Sequence, residues 1–236
     1  MSALRTLVII RHALSRANQD PTEYARTPDH DIPLVSPLDD AAGLRAGDLL
    51  ASLGIPAAEL VSWSSPHLRC RQTEQLVLQR AFRGQGEGAS AVVRRESFLL
   101  RERDYGHWNG LTDADVKVRY PELHAQWTAP GDPIGRFLFR YPGGESRADV
   151  AARVATFQER LRRDRCPHHV LFVHGIVFRL LRMVWFDRSP TWVDAEPHPE
   201  NAAMVRFSLA DDGQGWLESV PVLAIGNDGS TGGCFT

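Results

Sequence analysis

Four short apolar runs in this chain each end in residues that can do acid, base or anion chemistry. Residues 7–10 lead into Arg11-His12, and residues 60–63 into Ser64-Ser65. Residues 98–100 lead into Arg101-Glu102-Arg103, and residues 170–173 into His174-Gly175. Arg69 falls on the first turn of a helical segment that opens just after Ser65. Brought together, these ends hold two imidazoles, several guanidiniums and one carboxylic acid. That set suits a doubly charged oxyanion better than a carbohydrate or an apolar ligand. Guanidinium forks match phosphate oxygens in pairs, and a helix N-terminus adds backbone N–H donors. Phosphoryl transfer needs a nucleophile, positive charge around the equatorial oxygens and a proton for the leaving oxygen. A neutral imidazole, the arginines with a second histidine, and a protonated carboxyl group supply these in turn. The carboxyl must hold its proton near neutral pH: a dianionic phosphate nearby favours that, and the arginines oppose it.

Such a site exists only if the four runs are neighbouring strands whose carboxyl ends meet at one crevice, where open α/β sheets bind ligands. Segments of helical period lie between the runs. Ser36-Pro37-Leu38-Asp39 reads as a helix start, with the helix running to about Ser52 before Gly54. Residues 67–83 and 146–164 read as two more helices, the latter with Val150, Val154, Phe157 and Leu161 on one face. A fourth helix follows His174-Gly175, and a fifth strand is expected over 202–207. Strands alternating with helices predict an α/β three-layer sandwich, a mostly parallel central sheet with helices on both faces. One domain over 1–236 is expected, with 84–90 a loop, 112–141 a lid-like insert and 226–236 a loose tail. The aromatic run Phe137-Leu138-Phe139-Arg140-Tyr141 reads as packing for that insert.

A chain of 236 residues with 43% hydrophobic and 24% charged residues has the make-up of one soluble globular domain. A net charge of −2 gives no global attraction to nucleic acid or to an anionic membrane surface. Cys70, Cys166 and Cys234 are too scattered for a disulfide framework or a zinc site and suit a reducing cytoplasm. No run approaches the ~20 apolar residues of a membrane span.

The same residues carry a resemblance to the histidine phosphatase superfamily, also called phosphoglycerate mutase-like. Arg11-His12-Ala13 stands where that family has Arg-His-Gly, with Asn18 beyond it as the family pattern expects. Ser64-Ser65-Pro66-His67-Leu68-Arg69 resembles the second block, Leu100-Arg101-Glu102-Arg103-Asp104-Tyr105-Gly106 the third. Gly143-Gly144-Glu145-Ser146 and Val173-His174-Gly175 match the fourth and fifth. The resemblance implies a phosphatase in which His12 becomes a phosphohistidine and Glu102 is proton donor and then base. Arg11, Arg69 and His174 would hold the phosphoryl group, with Gly175 at the helix start beside it. Asn18 would reach a phosphate oxygen, and Tyr105 would line the leaving-group side. Arg103 is read as orienting its neighbours. Ala13 replaces the family glycine, and Leu14 stands where a polar residue is usual. The family's mutases carry an arginine pair in the insert to grip a substrate carboxylate. Gln126-Trp127-Thr128-Ala129 lacks that pair, which favours hydrolysis over phosphoglycerate mutase-type transfer.

The expected partner is a small phosphorylated substrate, with no metal, no cofactor, no nucleic acid and no membrane involved. Other readings have their own marks. Ser146 in Gly144-Glu145-Ser146-Arg147-Ala148, with Asp194 and His198, approximates a nucleophile elbow, but Pro142-Gly143-Gly144 breaks the strand an elbow needs. Nine histidines invite a metal hydrolase, yet no His-Glu-x-x-His helix is present. Gly84-x-Gly86-x-x-Ala89 fits a dinucleotide fingerprint formally, but follows a helix. A non-enzymatic phospholigand-binding protein would tolerate loss of His12 or Glu102, and both are retained. His168 and His169 are expected at the surface. The phosphatase reading requires His12 and His174 to face one crevice, with both rings within reach of solvent.

Overall fold

The alternation in Leu7-Val8-Ile9-Ile10 sends successive side chains to opposite faces of a strand, and each of the four is fully buried. A strand apolar on both sides must be covered on both sides. In the computed structural model, which describes residues 4–129, 133–210, 213 and 215–220, that strand is β1 (Thr6–Arg11). The short helix α1 (Arg16–Gln19) follows, then α2 (Ala41–Ser52), β2 (Leu60–Ser64) and α3 (Leu68–Ala81). β3 (Val93–Glu96) precedes α4 (Asp113–Arg119), α5 (Pro121–Thr128) and α6 (Pro133–Leu138). The chain continues through α7 (Arg147–Arg163), β4 (His168–Val173), α8 (Gly175–Trp185) and α9 (Pro190–Ala195). β5 (Met204–Leu209) and β6 (Trp216–Ser219) complete the sheet.

The six strands lie in the order β3-β2-β4-β1-β5-β6. β3, β2, β4 and β1 are parallel neighbours, while β5 and β6 run antiparallel. Leu7 and Ile9 pack with Val61, Trp63 and the apolar faces of α7 and α8. Val8 and Ile10 pack with Ala46, Leu50, Cys70 and Val77 of α2 and α3. The sheet is thus sandwiched between two helical layers. β1 and β4 pair in register from Thr6↔His168 to Arg11↔Val173, so His12 and His174 emerge side by side.

Three local expectations change. Residues 98–100 form a single 3-10 turn capped by Ser97, and the strand beside β2 is Val93–Glu96, whose side chains are all exposed. An edge strand needs no apolar run, so hydropathy points past it. Helix α2 starts after Asp40, which accepts from the Gly43 N–H, rather than at Ser36. His169 is buried instead of exposed, accepting from the Trp63 indole N–H at 3.1 Å and donating to the Cys166 carbonyl at 3.1 Å. Helix α7 opens as expected on the Ser146 capping box. Val116, Phe139 and Tyr141 of the insert pack with Tyr105 and Trp108 just before it in a separate, largely aromatic cluster. The segment 226–236, with Cys234, lies outside the described residues.

Candidate active site

β1 ends in Arg11, and the backbone N–H of His12 donates to the Val173 carbonyl, extending the β1–β4 pairing by one residue. The ring of His12 turns back so that Nδ1–H donates to the Ala13 carbonyl at 2.8 Å. A carbonyl can only accept, so in the neutral ring the lone pair is left on Nε2. Burial, reinforced by Arg69 and Arg11, holds the imidazole well below its usual range and so neutral. The turn after it is tied down by Thr73, whose hydroxyl accepts from the Ala13 N–H at 2.9 Å and donates to the Arg69 carbonyl at 2.7 Å.

The rings of His12 and His174 lie 5.4 Å apart, edge to face. His174 caps α8, its Nε2 lies 2.8 Å from the Ser65 hydroxyl, and Cys70 Sγ sits 3.4 Å from the same nitrogen. His174 also stays neutral, depressed by burial and then by Arg69, His67 and His12. Only 4% of His12 and none of His174 is exposed. The convergence expected from the sequence is therefore met, but the solvent-facing second ring is not. His67 covers His174 at 4.8 Å, with its Nδ1 3.4 Å from Asp29.

Arg69 lies on the first turn of α3 and is almost fully buried. Its Nη1 donates to the Asp29 carbonyl at 2.6 Å and lies 2.9 Å from the Asp29 carboxylate. Burial works against its charge, and Asp29, followed by Tyr24, outweighs it. This clamp leaves Nε without a protein partner. Arg11 donates to the Pro199 carbonyl and keeps its own Nε unpartnered. Burial lowers Arg11 to about 10, with Glu102 and Tyr24 opposing that shift. It remains a cation at any physiological pH.

Glu102 arrives on a loop that the fourth block holds in place. Glu145 accepts from Arg101 at 2.6 Å, from Arg153 at 3.0 Å and from the Asp104 N–H at 3.1 Å. Arg153 also donates to the carbonyls of Leu99 at 2.6 Å and Glu102 at 3.2 Å. The Glu102 carboxyl accepts from the Arg103 N–H at 2.8 Å. Burial raises its pKa, against that hydrogen bond and the charges of Arg69 and Arg103. It faces a cavity of about 230 Å³ lined by Pro21, Tyr24, Tyr105, Trp108, Leu111 and Thr112 among others. Tyr105 lies on this wall. Asn18 spends its side-chain oxygen on Ser15, at 3.3 Å from the N–H and 2.9 Å from the hydroxyl, closing the cap of α1.

The sequence reading passed over Asp29, Tyr24 and His67 as site residues, and it set His198 aside. Asp29 and Tyr24 sit in 3-10 turns with no hydrophobic period to announce them. His198 packs against Gly175: a Cβ there would lie 2.2 Å from its ring. Burial, followed by Arg11 and Arg179, lowers His198 to about 4. Ser146 is used up in its cap, donating to Asp149 at 2.6 Å after a turn and not a strand. Asp194 pairs with Arg147. That leaves no nucleophile elbow. Gly84 and Gly86 lie in an exposed loop after α3.

The parallel part of the sheet brings two imidazoles together at its strand ends, with buried arginines beside them. The model of the histidine phosphatase superfamily (branch 1) matches residues 7–220, and the chain belongs to that superfamily. It is 31% identical over 226 residues to the phosphoglycerate mutase-like protein AT74 of Arabidopsis thaliana, covering 89% of this chain and 66% of that relative. It is 36% identical over 95 residues to the broad-range acid phosphatase DET1 of Saccharomyces cerevisiae, covering 37% of this chain and 25% of that one. A mycobacterial glucosyl-3-phosphoglycerate phosphatase shares the fold with a TM-score of 0.63 at 23% identity, covering 92% and 97% of the two chains. The chain thus spans just under two thirds of the length of the Arabidopsis relative. No described helix is long and apolar enough to cross a membrane.

Proposed function

We propose that this protein is a metal-independent phosphatase that hydrolyses a phosphate monoester through phospho-His12. The observation that carries this reading is the Nδ1–H bond of His12 to the Ala13 carbonyl at 2.8 Å, which leaves a bare Nε2 under the charges of Arg69 and Arg11. In the first step Nε2 attacks phosphorus and the bond from phosphorus to the ester oxygen breaks. The leaving oxygen takes the proton of Glu102. In the second step the Glu102 carboxylate removes a proton from water, and the resulting oxygen displaces Nε2. Inorganic phosphate leaves, and both side chains return to their starting states. Arg11 and Arg69 hold the equatorial oxygens, with the α8 N-terminus at Gly175 adding backbone donors, and His174 joins them once His67, whose ring lies 4.8 Å from it, moves aside. His174, neutral and hydrogen-bonded near Ser65, contributes a dipole and takes on charge as the dianion arrives.

The cavity beyond Glu102 supports a small organic leaving group, since its walls are largely aromatic and aliphatic. Transfer to a second acceptor, as in the mutases, is the weaker reading. Trp127, in the stretch where those carry an arginine pair, packs on Phe139 and Tyr141 at 5.5 and 5.6 Å. The test is phosphate release from p-nitrophenyl phosphate and alkyl phosphates. His12→Ala should abolish turnover. Glu102→Gln should slow alkyl phosphates by about 10²–10⁴ and p-nitrophenyl phosphate far less. An acid-labile, alkali-stable phosphoenzyme should be trapped in the wild type and vanish with His12. Retained turnover in His12→Ala sinks the reading.

A further inference from the structure

The two imidazoles are shut off from the space in front of them. Glu102 lines two cavities, of about 230 and 180 Å³, and neither His12 nor His174 forms part of either wall. His12, Arg69 and His174 are 4%, 1% and 0% exposed. A ring with no exposed surface cannot meet a phosphate oxygen until a neighbour moves. Most of its neighbours are held firmly. Ser65 and Cys70 are fully buried, at 2.8 and 3.4 Å from His174 Nε2, and the His12 ring is tied to the Ala13 carbonyl. His67 is different, because it faces both ways. Its ring lies 4.8 Å from that of His174, and it lines the smaller cavity together with Glu102 and Asp29.

His67 is fixed at its backbone and loose at its ring. It is the N-cap of α3, and its carbonyl accepts from the N–H groups of Cys70 at 3.0 Å and Arg71 at 3.2 Å. Its side chain makes no cap hydrogen bond. Nδ1 lies 3.4 Å from the Asp29 carboxylate without hydrogen-bonding to it, and Asp29 Oδ1 has no hydrogen-bond partner either. Burial, followed by Arg69, lowers the ring to about 4, so it is neutral at pH 7 and the contact is no full ion pair. A buried polar atom left unpaired costs about 1–3 kcal/mol, so the ring leaves this position cheaply. Rotation about its own side-chain bonds carries it into the smaller cavity, whose wall holds the polar side chains of Glu102 and Asn109.

We infer that His67 is a swinging cover: at rest its ring closes off His174, and a phosphate group is admitted when the ring turns into the cavity beside Glu102. The phosphate shifts the balance because it reaches His174 only in the open position. A cover closed about nine-tenths of the time weakens the apparent affinity about tenfold. Asp29 acts as the stop, positioned by its 2.9 Å contact with Arg69 and meeting the cover at 3.4 Å. This inference rests on the phosphatase reading and names the part that admits its phosphate.

The test is calorimetric binding of inorganic phosphate at pH 7 to the wild type, His67→Ala and His67→Phe, a readout that needs no turnover. Alanine removes the cover, and phenylalanine keeps a flat ring without its nitrogens. Neither change alters the charge of the site, since the imidazole is neutral, and neither removes a cap bond from α3. His67→Ala should bind phosphate about three- to tenfold more tightly than the wild type, and His67→Phe no more tightly. Carbethoxylation of His174 by diethyl pyrocarbonate, read by peptide mass spectrometry, should quicken by a similar factor in His67→Ala alone. Equal or weaker phosphate binding by His67→Ala overturns the cover, since a ring that only packs against the site, or that itself holds phosphate, gives that result. Equal gains in the alanine and phenylalanine variants overturn it too. Phosphate binding by none of the three proteins refutes the phosphatase reading instead, while the labelling of His174 still decides the cover.

Discussion

Replacing Gly106 with Ala should cost far more than its place in a surface turn implies. Gly106 has φ +54, and a Cβ on it would lie 2.2 Å from the Pro142 carbonyl oxygen, 2.6 Å from the Gly144 nitrogen and 2.7 Å from the Gly143 carbonyl carbon. All three are backbone atoms, so no rotamer change relieves the contact. The left-handed conformation alone costs an alanine about 1–2 kcal/mol. Forcing two backbone segments apart adds about 1–3 kcal/mol. Gly54 supplies the control: its φ is +66 and nothing lies within 4 Å of an added Cβ. Urea unfolding should therefore show Gly54→Ala destabilised by the conformational part alone, and Gly106→Ala by a further 1–3 kcal/mol or so. The excess should be accompanied by a fall in kcat, because the turn that moves carries Glu102 and Tyr105. Equal destabilisation of the two variants would refute the idea that close approach of the third and fourth sequence blocks sets the position of the acid.

The other expectations concern protons and the second imidazole. The kcat/KM profile should have an alkaline limb above the usual carboxylate range, since Glu102 is raised from 4.5, and that limb should disappear in Glu102→Gln. Its acid limb should fall below 6.5, because His12 stays neutral further down; an acid limb at an ordinary imidazole value contradicts the burial argument. Ser65→Ala removes the hydroxyl 2.8 Å from His174, and a loss of about 1 kcal/mol, or roughly fivefold in kcat, should follow with KM for phosphate esters also raised. Stability should fall in acid. His67 titrates at about 4 when folded against 6.5 unfolded, so the unfolded chain binds the extra proton between those values. The stability is present above 6.5 and lost as pH drops toward 4, by roughly 3 kcal/mol for this residue. Urea midpoints at pH 7, 5.5 and 4 measure the loss, and His67→Gln should flatten the slope.

Much of the frame was legible because burial leaves a pattern. β1 and β4 are apolar on both faces, β2 carries Val61 and Trp63 on one, and α7 advertises both its cap at Ser146 and its inward face. β3 was misplaced because an exposed edge strand, Val-Arg-Arg-Glu, carries no such pattern, and the apolar Phe98-Leu99-Leu100 beside it does. The start of α2 was misread because Ser36-Pro37 mimics a cap, while Asp40 makes the hydrogen bond. At the site, His12, His174, Arg69 and Glu102 follow strand or turn ends and could be named from sequence. Asp29 could not: its contacts with Arg69 and His67 join residues far apart in the chain.

The two imidazoles hang from β1 and β4, locked in register by a hydrogen-bonded ladder at the middle of the sheet. The walls around the departing group come instead from 3-10 turns at Pro21–Ala25 and Gly106–Trp108 and from the neighbouring loops. Mutational drift therefore falls unevenly on this molecule. On the proposed reading, exchanges in those turns should alter which esters are accepted and leave the strand-borne imidazoles where they are.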